Sequence, residues 1–313
     1  MNALTALMGN ALLIMVFAFS VPGAARAETV TKSSDVSIGL ALGSGGASGL
    51  AHIAMLQVFD DLGIRPQVIA GTSIGAVIGA LYASGLSARE IRAIFDEFGG
   101  SSLDAMSALM DDDVGLDLGK LLTIDMSNGG LIDQSGFLRF LASKTTAKTF
   151  ADLEIPLRVI ATDYWSGETI VLDSGDLIEA AGASMAVPGL FAPLKRDERL
   201  LIDGGTSDPL PWNHLTGCCD LIVAVDVSGS RRRSADGLAP LLEVLFNTFE
   251  IMQQSIVAEK MRHGAPDIYI KPDISGIRLL HFNRIETILE QAEPAARQLR
   301  DAIEQRLGPR VSE

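Results

Sequence analysis

The chain has 313 residues, of which 48% are hydrophobic and 20% are charged, so it can bury a sizeable core and a disordered protein is excluded. Its formal net charge of −14 at pH 7 argues against nucleic acid and against anionic lipid surfaces as partners. Cys218 and Cys219 are the only cysteines, and a disulfide between neighbours is strained, so we interpret them as small buried hydrophobic residues.

The first 27 residues have the pattern of a signal peptide. An apolar run over residues 11–21 precedes Ala25-Arg26-Ala27, which resembles an A-x-A cleavage site. The run is too short for a comfortable membrane span. We therefore predict cleavage before Glu28, export to the periplasm or the medium, and no transmembrane span in the mature chain. A membrane-associated protein with an uncleaved N-terminus is the alternative.

Strand and helix patterns alternate along residues 28–313, without a linker that would divide them into two domains. Short apolar runs predict strands over residues 36–42, 67–70, 157–162, 169–172, 221–227 and 265–270. Helical spacing predicts helices over residues 49–62, 74–84, 238–262 and 283–307. Another helix is predicted to begin after Ser87, with Glu90 completing a capping box. This order predicts an α/β fold, a three-layer α/β/α sandwich with a mostly parallel central sheet and a C-terminal helical extension.

Residues 99–130 follow neither periodicity. The segment mixes leucine and methionine residues with three consecutive aspartates at positions 111–113. Two interpretations stay open, an irregular surface insertion and a lid or lipid-facing cap over a site.

A glycine-rich loop follows the first predicted strand, and Gly43 and Gly49 bound it. A dinucleotide-binding fingerprint fails here because Ser48 occupies the position of its third glycine. An oxyanion hole explains the loop better, since the backbone N–H groups of Gly45 and Gly46 can approach a substrate oxygen where no Cβ intervenes.

The pattern Gly71-x-Ser73-x-Gly75 follows the second predicted strand and opens a helix of small residues. A serine on such a strand-to-helix turn presents its hydroxyl group, and the helix N-terminus favours negative charge nearby. The pattern alone is weak, but this context predicts that Ser73 is a nucleophile.

A third turn, Asp203-Gly204-Gly205, follows an apolar run at 200–202 and places a carboxylate at the end of a strand. Burial in such a setting raises the pKa of a carboxyl group, which allows it to act as a general base.

A serine–histidine–aspartate triad would instead need a histidine after the acid, and the chain offers His214, His263 and His281 there. His214 lies in a predicted loop and is the strongest of the three. His263 closes a predicted helix and His281 lies between apolar residues, so we interpret both as structural.

Several ordered segments together resemble the patatin-like phospholipases. They are residues 40–62, the Gly-Thr-Ser-Ile-Gly turn at 71–75, residues 161–163, residues 183–191 and the turn at 203–205. The resemblance covers about residues 36–227. One departure is Ser48, where the family usually has arginine or lysine, and it leaves open how the loop is oriented or how a phosphate head group would be held.

The resemblance implies a serine–aspartate dyad without histidine. Ser73 would be the nucleophile, Asp203 the general base, and Gly45 and Gly46 the oxyanion donors, in the hydrolysis of lipid or phospholipid acyl esters through an acyl-enzyme. It implies no metal and no cofactor, and a substrate at a membrane or micelle surface. Two alternatives remain, an inactive lipid-binding or regulatory protein of the same fold and a serine–histidine–aspartate esterase.

Overall fold

The computed structural model describes residues 36–101, 134–230 and 241–307. The chain divides into two units, Met1–Asp35 and Val36–Glu313, and all of the described residues belong to the second. The predicted signal peptide and residues 102–130 of the aperiodic segment lie outside the described residues. Of the helices that are described, none is both long and apolar enough to cross a membrane.

A mixed sheet forms the centre of the second unit. Its strands are β1 (Ile38–Leu42), β2 (Val68–Thr72), β3 (Leu157–Asp163), β4 (Thr169–Leu172), β5 (Leu194–Arg196), β6 (Arg199–Asp203), β7 (Leu221–Val225) and β8 (Ile268–Ile270). They are ordered β5-β6-β3-β2-β1-β7-β8, and β4 also pairs with β3. The neighbouring strands β3-β2-β1-β7-β8 of this order pair in parallel, as predicted. The pairs β3–β4, β3–β6 and β5–β6 are antiparallel. Short turns connect β3 to β4 and β5 to β6, as in hairpins, whereas parallel strands need a longer crossover.

Helices cover both faces of the sheet. The described α-helices are α1 (Ala51–Asp61), α2 (Ile74–Ala83), α3 (Ala88–Ser101), α4 (Ser135–Lys144), α5 (Leu177–Ser184), α6 (Leu241–His263) and α7 (Ile285–Leu307). Leu40 and Leu42 of β1 belong to the large core shared with α1, α2, α3, α5 and α7. Ala41, which points to the opposite face, belongs to a smaller core with Val257 of α6. The predicted three-layer α/β sandwich is confirmed.

The predicted strands and helices agree with the observed ones to within about three residues at each end. The capping box is also present: the Ser87 hydroxyl accepts from the Glu90 N–H, and the Glu90 carboxylate accepts from the Ser87 N–H at 2.8 Å. The sequence analysis missed α4, α5 and β5. They have ten, eight and three residues respectively, so each spans few repeats of its pattern.

The adjacent cysteines pack beside the smaller core. Both thiols are free, and the Cys218 thiol donates to the Leu215 carbonyl at 2.9 Å. The interpretation of both as buried residues is wrong, because the two side chains lie at the margin of the core and are half-buried. Burial still raises the pKa of Cys219 to about 12, so its thiol stays protonated.

Candidate active site

Ser73 lies on a strained turn between β2 and α2. Its φ of 55° and ψ of −123° form a combination that residues other than glycine seldom adopt. The flanking glycines permit the turn: a Cβ at Gly71 would lie 2.6 Å from the Gly75 carbonyl oxygen, and a Cβ at Gly75 would lie 2.2 Å from the Leu42 carbonyl oxygen. The close approach of β1, β2 and α2 therefore requires the Gly-x-Ser-x-Gly spacing.

Asp203 reaches Ser73 because β2 and β6 meet end to end beside β3. A strand has two hydrogen-bonding edges. Strand β4 pairs with a part of β3 that includes residues paired with β2 and residues paired with β6. Since β4 therefore occupies one edge of β3, strands β2 and β6 must both pair along the other edge of β3. Along that edge Thr72 is level with Ile160, and Asp203 is level with the next residue, Ala161. The last residue of β6 thus meets the first residue after β2.

The two side chains form a buried hydrogen-bonded pair. The Ser73 hydroxyl donates to Asp203 Oδ2 at 2.7 Å, and the Gly205 N–H donates to Oδ1 at 2.6 Å. Ser73 is 6% exposed and Asp203 is 0% exposed. Burial raises the pKa of Asp203 to about 7, although the hydrogen bonds from Ser73 and Gly205 oppose the shift. Gly204 lets the turn approach β3, since a Cβ there would lie 2.2 Å from the Ile160 carbonyl oxygen.

Ser184, the last residue of α5, supports the serine turn from behind. Its hydroxyl accepts from the Ser73 N–H at 2.8 Å and donates to the Ile160 carbonyl at 2.5 Å, and its side chain is fully buried. Ser184 lies inside a segment that resembles the family, but the sequence alone indicates no role for it. The available signal was that Ser184 is the one polar side chain in a run of small apolar residues at 180–187.

The glycine loop after β1 is anchored through its backbone. The Gly43 N–H donates to the carbonyl of the last residue of β7, and the N–H groups of Ser44 and Ala47 donate to carbonyl groups of neighbouring loops, at 2.8 to 3.0 Å. Within the described parts of the chain, no hydrogen bond is made by the N–H groups of Gly45 or Gly46. The loop therefore keeps two backbone donors uncommitted between bonded neighbours.

Three glycines of this loop have no room for a side chain. A Cβ at Gly45 would lie 2.2 Å from the Val227 carbonyl oxygen. Gly46 has a φ of 54°, and a Cβ there would lie 2.7 Å from the Leu279 carbonyl oxygen. A Cβ at Gly49 would lie 2.1 Å from a side-chain carbon of the first residue of α2. These contacts hold the loop against the end of the sheet and against the helix that follows the serine.

Ser48 is buried in the short 3-10 helix Gly46–Leu50 of this loop. Its hydroxyl oxygen lies 3.6 Å from the place where a Cβ at Gly229 would stand. Residue 48 thus carries no charge here, and the glycine contacts described above hold the loop against its neighbours.

The three histidines considered for a triad lie apart from the dyad. His214 Nε2 is 3.0 Å from Asp208 Oδ2, and His263 Nε2 is 3.1 Å from Glu259 Oε1 on the same helix. His281 Nδ1 accepts a backbone N–H within its own loop at 3.1 Å. Neither the serine nor the aspartate hydrogen-bonds to a histidine within the described residues.

The fourth histidine, His52 of α1, was not considered from the sequence because it precedes the acid. Its Nε2 donates to the Gly43 carbonyl at 2.8 Å, so it supports the glycine loop. Burial lowers the pKa of His52 to about 4, which keeps the ring neutral at neutral pH. Over the described residues, no group of three or more histidine, cysteine, aspartate or glutamate side chains is arranged to hold a metal ion.

Gln253 of α6 connects the two loops that carry the site. Its Oε1 accepts from the Ser44 hydroxyl at 2.9 Å in the glycine loop. A Cβ at Gly205 would lie 2.1 Å from its Nε2, so the amide also packs directly on the aspartate turn. Gln253 is buried, and it was not predicted as a site residue because the pattern of this helix in the sequence is only an apolar periodicity.

Comparison with known proteins gives a family match over the same part of the chain. A family model described as patatin-like phospholipase matches residues 40–216. Uncharacterised NTE family proteins of Mycobacterium bovis and Mycobacterium tuberculosis are similar to this chain, with 35% identity over 218 residues, which is 69% of this chain and 56% of theirs.

Two further similarities are more distant. Lysophospholipase NTE1 of Saccharomyces cerevisiae is 29% identical over 285 residues, which is 82% of this chain and 16% of that protein. The chain spans about half the length, or less, of the curated relatives that it matches. Among solved structures, VipD from Legionella pneumophila has 15% identity and a TM-score of 0.46, covering 85% of this chain and 67% of that one. Full-length ExoU from Pseudomonas aeruginosa has 16% identity and a TM-score of 0.42, covering 88% and 53%.

Proposed function

This chain belongs to the patatin-like phospholipase family, and from that premise we propose that it hydrolyses acyl esters of lipids with Ser73 as nucleophile and Asp203 as general base. The observation that carries the proposal is the 2.7 Å hydrogen bond in which the Ser73 hydroxyl donates to the fully buried Asp203 carboxylate. A nucleophile bonded to a base in this way is the arrangement needed for covalent acyl transfer.

In the first half of the reaction, the Ser73 oxygen attacks the ester carbonyl as its proton passes to Asp203. The carbonyl oxygen becomes negative in the tetrahedral intermediate. The N–H groups of Gly45 and Gly46, and the N-terminus of α2, are the donors and the dipole that would stabilise that charge. Collapse of the intermediate breaks the ester C–O bond, and the alcohol leaves with the proton held by Asp203.

In the second half, Asp203 accepts a proton from water while the water oxygen attacks the acyl carbon of the Ser73 ester. Collapse releases the fatty acid, and the Ser73 oxygen takes the proton back. One carboxyl group can serve both halves because its pKa of about 7 lets it accept and return a proton near neutral pH.

The test is turnover and covalent labelling of the same protein. Incubation with a short-chain nitrophenyl ester should release nitrophenol, and a fluorophosphonate should add one phosphonyl group that mass spectrometry locates on Ser73. Ser73→Ala should lose both, whereas the matched variant Ser84→Ala, a serine that caps the end of α2, should keep both. A protein that neither turns over the ester nor takes the label would contradict the proposal and favour a lipid-binding or regulatory role.

A further inference from the structure

Two groups of exposed apolar side chains lie beyond the carboxyl edge of the sheet, the edge at which the nucleophile lies. One is the tip of the β3–β4 hairpin, where Trp165 is 77% exposed and Tyr164 is 51% exposed, with their rings edge to face at 4.8 Å. The other is on the first part of α6, where four aliphatic side chains are each about half exposed. We call the six residues the apolar rim: Tyr164, Trp165, Val244, Leu245, Ile251 and Met252.

The hairpin tip extends past the carboxyl edge beside the dyad. Strands β2 and β3 are parallel, and Thr72 pairs with Ile160. Tyr164 comes four residues after Ile160, which is roughly 13 Å farther along the strand direction. The Tyr164 N–H donates to the Leu200 carbonyl at 2.8 Å, so the tip is fixed beside β6, the strand that carries Asp203.

Helix α6 passes the same edge partway along its length. Val257 belongs to a small core with the alanine row of β1, β2 and β7 that includes Ala41. One turn earlier, Gln253 and Gln254 hydrogen-bond to the loops that follow β1 and β7. Residues 244–252 therefore extend beyond the strand ends. Two phenylalanines in this segment pack inward on the large core, whereas the four residues of the segment that belong to the apolar rim remain exposed.

The chemistry of the rim fits a neutral lipid interface. None of its six side chains carries a charge, in a chain whose formal net charge is −14. Exposed tryptophan and tyrosine rings favour the head-group region of a bilayer, and aliphatic side chains on one helix face favour the layer just below it. The net negative charge opposes association with anionic lipid.

We propose that this chain docks on a zwitterionic lipid surface through the apolar rim, with the edge of the sheet that bears Ser73 facing the lipid. This inference rests on the proposed lipid acyl hydrolase function. It names the surface through which a substrate held in a bilayer or micelle would meet the dyad.

Trp165 itself reports the predicted contact. The chain has two tryptophans, and Trp212 is buried beneath Lys260, with the ammonium group 4.2 Å from its ring centroid. Phosphatidylcholine vesicles should shift the tryptophan emission of the full chain to shorter wavelength, and phosphatidylcholine with brominated acyl chains should quench it. Trp165→Phe should remove both effects. Emission that neither shifts nor is quenched would overturn the proposal.

A second measurement separates docking from catalysis. Trp165→Ser and the double variant Leu245→Ser/Met252→Ser should each weaken co-sedimentation with phosphatidylcholine vesicles by roughly tenfold or more, because each removes large apolar side chains from the interface. Turnover of a soluble short-chain ester should not change. Val36→Ser is the matched control, since Val36 is an exposed apolar residue at the opposite, amino edge of β1.

The outcomes distinguish the two proposals. Vesicle binding through the rim without ester turnover would support the docking surface and contradict the proposed function. Ester turnover without vesicle binding would support the proposed function and contradict the docking surface. Binding to anionic vesicles alone would overturn the inference, and so would self-association that the rim variants abolish, because that would make a second copy of the chain the occupant of this surface.

Discussion

At the scale of single residues, burial of Asp203 raises the pKa of its carboxyl group, and this bears on its proposed role as general base. Its pKa of about 7 in the folded chain lies above the ordinary value of 3.8, so the fold favours the protonated carboxyl group. The stability that this group contributes is fully present below about pH 4 and is lost as the pH rises through 7. As the proposed general base, Asp203 must be ionised to act, so the pH range that favours activity is the range in which this contribution to stability is lost.

This balance predicts the pH profile of the reaction. On a soluble ester, kcat/KM should rise about tenfold per pH unit up to roughly pH 7 and then level off, because only the ionised carboxylate accepts the Ser73 proton. The measurement is kcat/KM between pH 5 and 9, with circular dichroism at each pH to verify folding. A kcat/KM already at its plateau at pH 5 would show that the carboxyl group of Asp203 is ionised well below pH 7.

The residues of the proposed dyad could be predicted from the sequence, but the residues that support them could not. Ser73 and Asp203 each follow an apolar run and lie among glycines, so the local pattern marks them. Ser184 bonds to a backbone group 111 residues away, and Gln253 bonds to a hydroxyl group 209 residues away. Only the folded chain brings these partners together, and neither residue type is distinctive in a sequence.

At the scale of elements, the close contact between α2 and β1 explains the glycine spacing around Ser73. Gly75→Ala should destabilise the fold by about 2 kcal/mol or more, because its Cβ would lie 2.2 Å from the Leu42 carbonyl oxygen and force the helix away from the strand. Gly136→Ala in α4 is the matched control, since nothing lies within 4 Å of a Cβ there.

The comparison is the midpoint of urea unfolding for both variants. The control should be neutral or more stable by up to about 1 kcal/mol, as alanine favours helix more than glycine does. Equal stability of the two variants would mean that α2 does not pack on β1 as closely as described.

Gln253 connects α6 to both loops of the candidate site. Gln253→Leu should lower kcat/KM by roughly tenfold, mainly through kcat, because the glycine loop and the aspartate turn lose their common contact and geometry controls the rate. Ser44→Ala should have a similar effect, and the double variant should lose little more than either single variant. Gln57→Leu on the exposed side of α1 is the control. Additive losses in the double variant would show that the two residues act independently.

Most elements were predictable because their apolar periodicity is strong, but the meeting of the ends of β2 and β6 was not. The alternation of strands and helices predicts parallel pairing, and β6 instead returns antiparallel and meets the end of β2. That arrangement depends on which edge of β3 is free, and a linear pattern does not specify it. The three-residue strand β5, which pairs with β6, also has too few residues for a period.

At the scale of the whole molecule, composition and alternation were sufficient for the layered α/β fold. Small residues in α2 and alternating large and small residues in β1 follow from a sheet covered on both faces. The interpretation of residues 99–130 as an insertion or a lid stays open, since all but the first three of these residues, the end of α3, lie outside the described residues.

We also propose that the chain is exported after cleavage of residues 1–27, on the apolar run and the Ala25-Arg26-Ala27 site. Expression in a bacterium with a cell envelope, followed by N-terminal sequencing of each fraction, should find a mature N-terminus at or near Glu28 outside the cytoplasm. Intact protein that begins at Met1 and stays in the cytoplasmic fraction would contradict export.

The most direct test of the dyad is kcat/KM on a soluble ester for Ser73→Ala, Asp203→Asn and their combination, with His214→Ala, His263→Ala and His281→Ala as comparisons and folding verified by circular dichroism. Asp203→Asn keeps the shape of the side chain and removes its ability to accept a proton. Its activity should fall about as far as that of Ser73→Ala, and the double variant should lose little more, because groups that act as one unit are not additive. The three histidine variants should stay active. Near-normal activity in folded Asp203→Asn, or a histidine variant as inactive as Ser73→Ala, would contradict the serine–aspartate dyad.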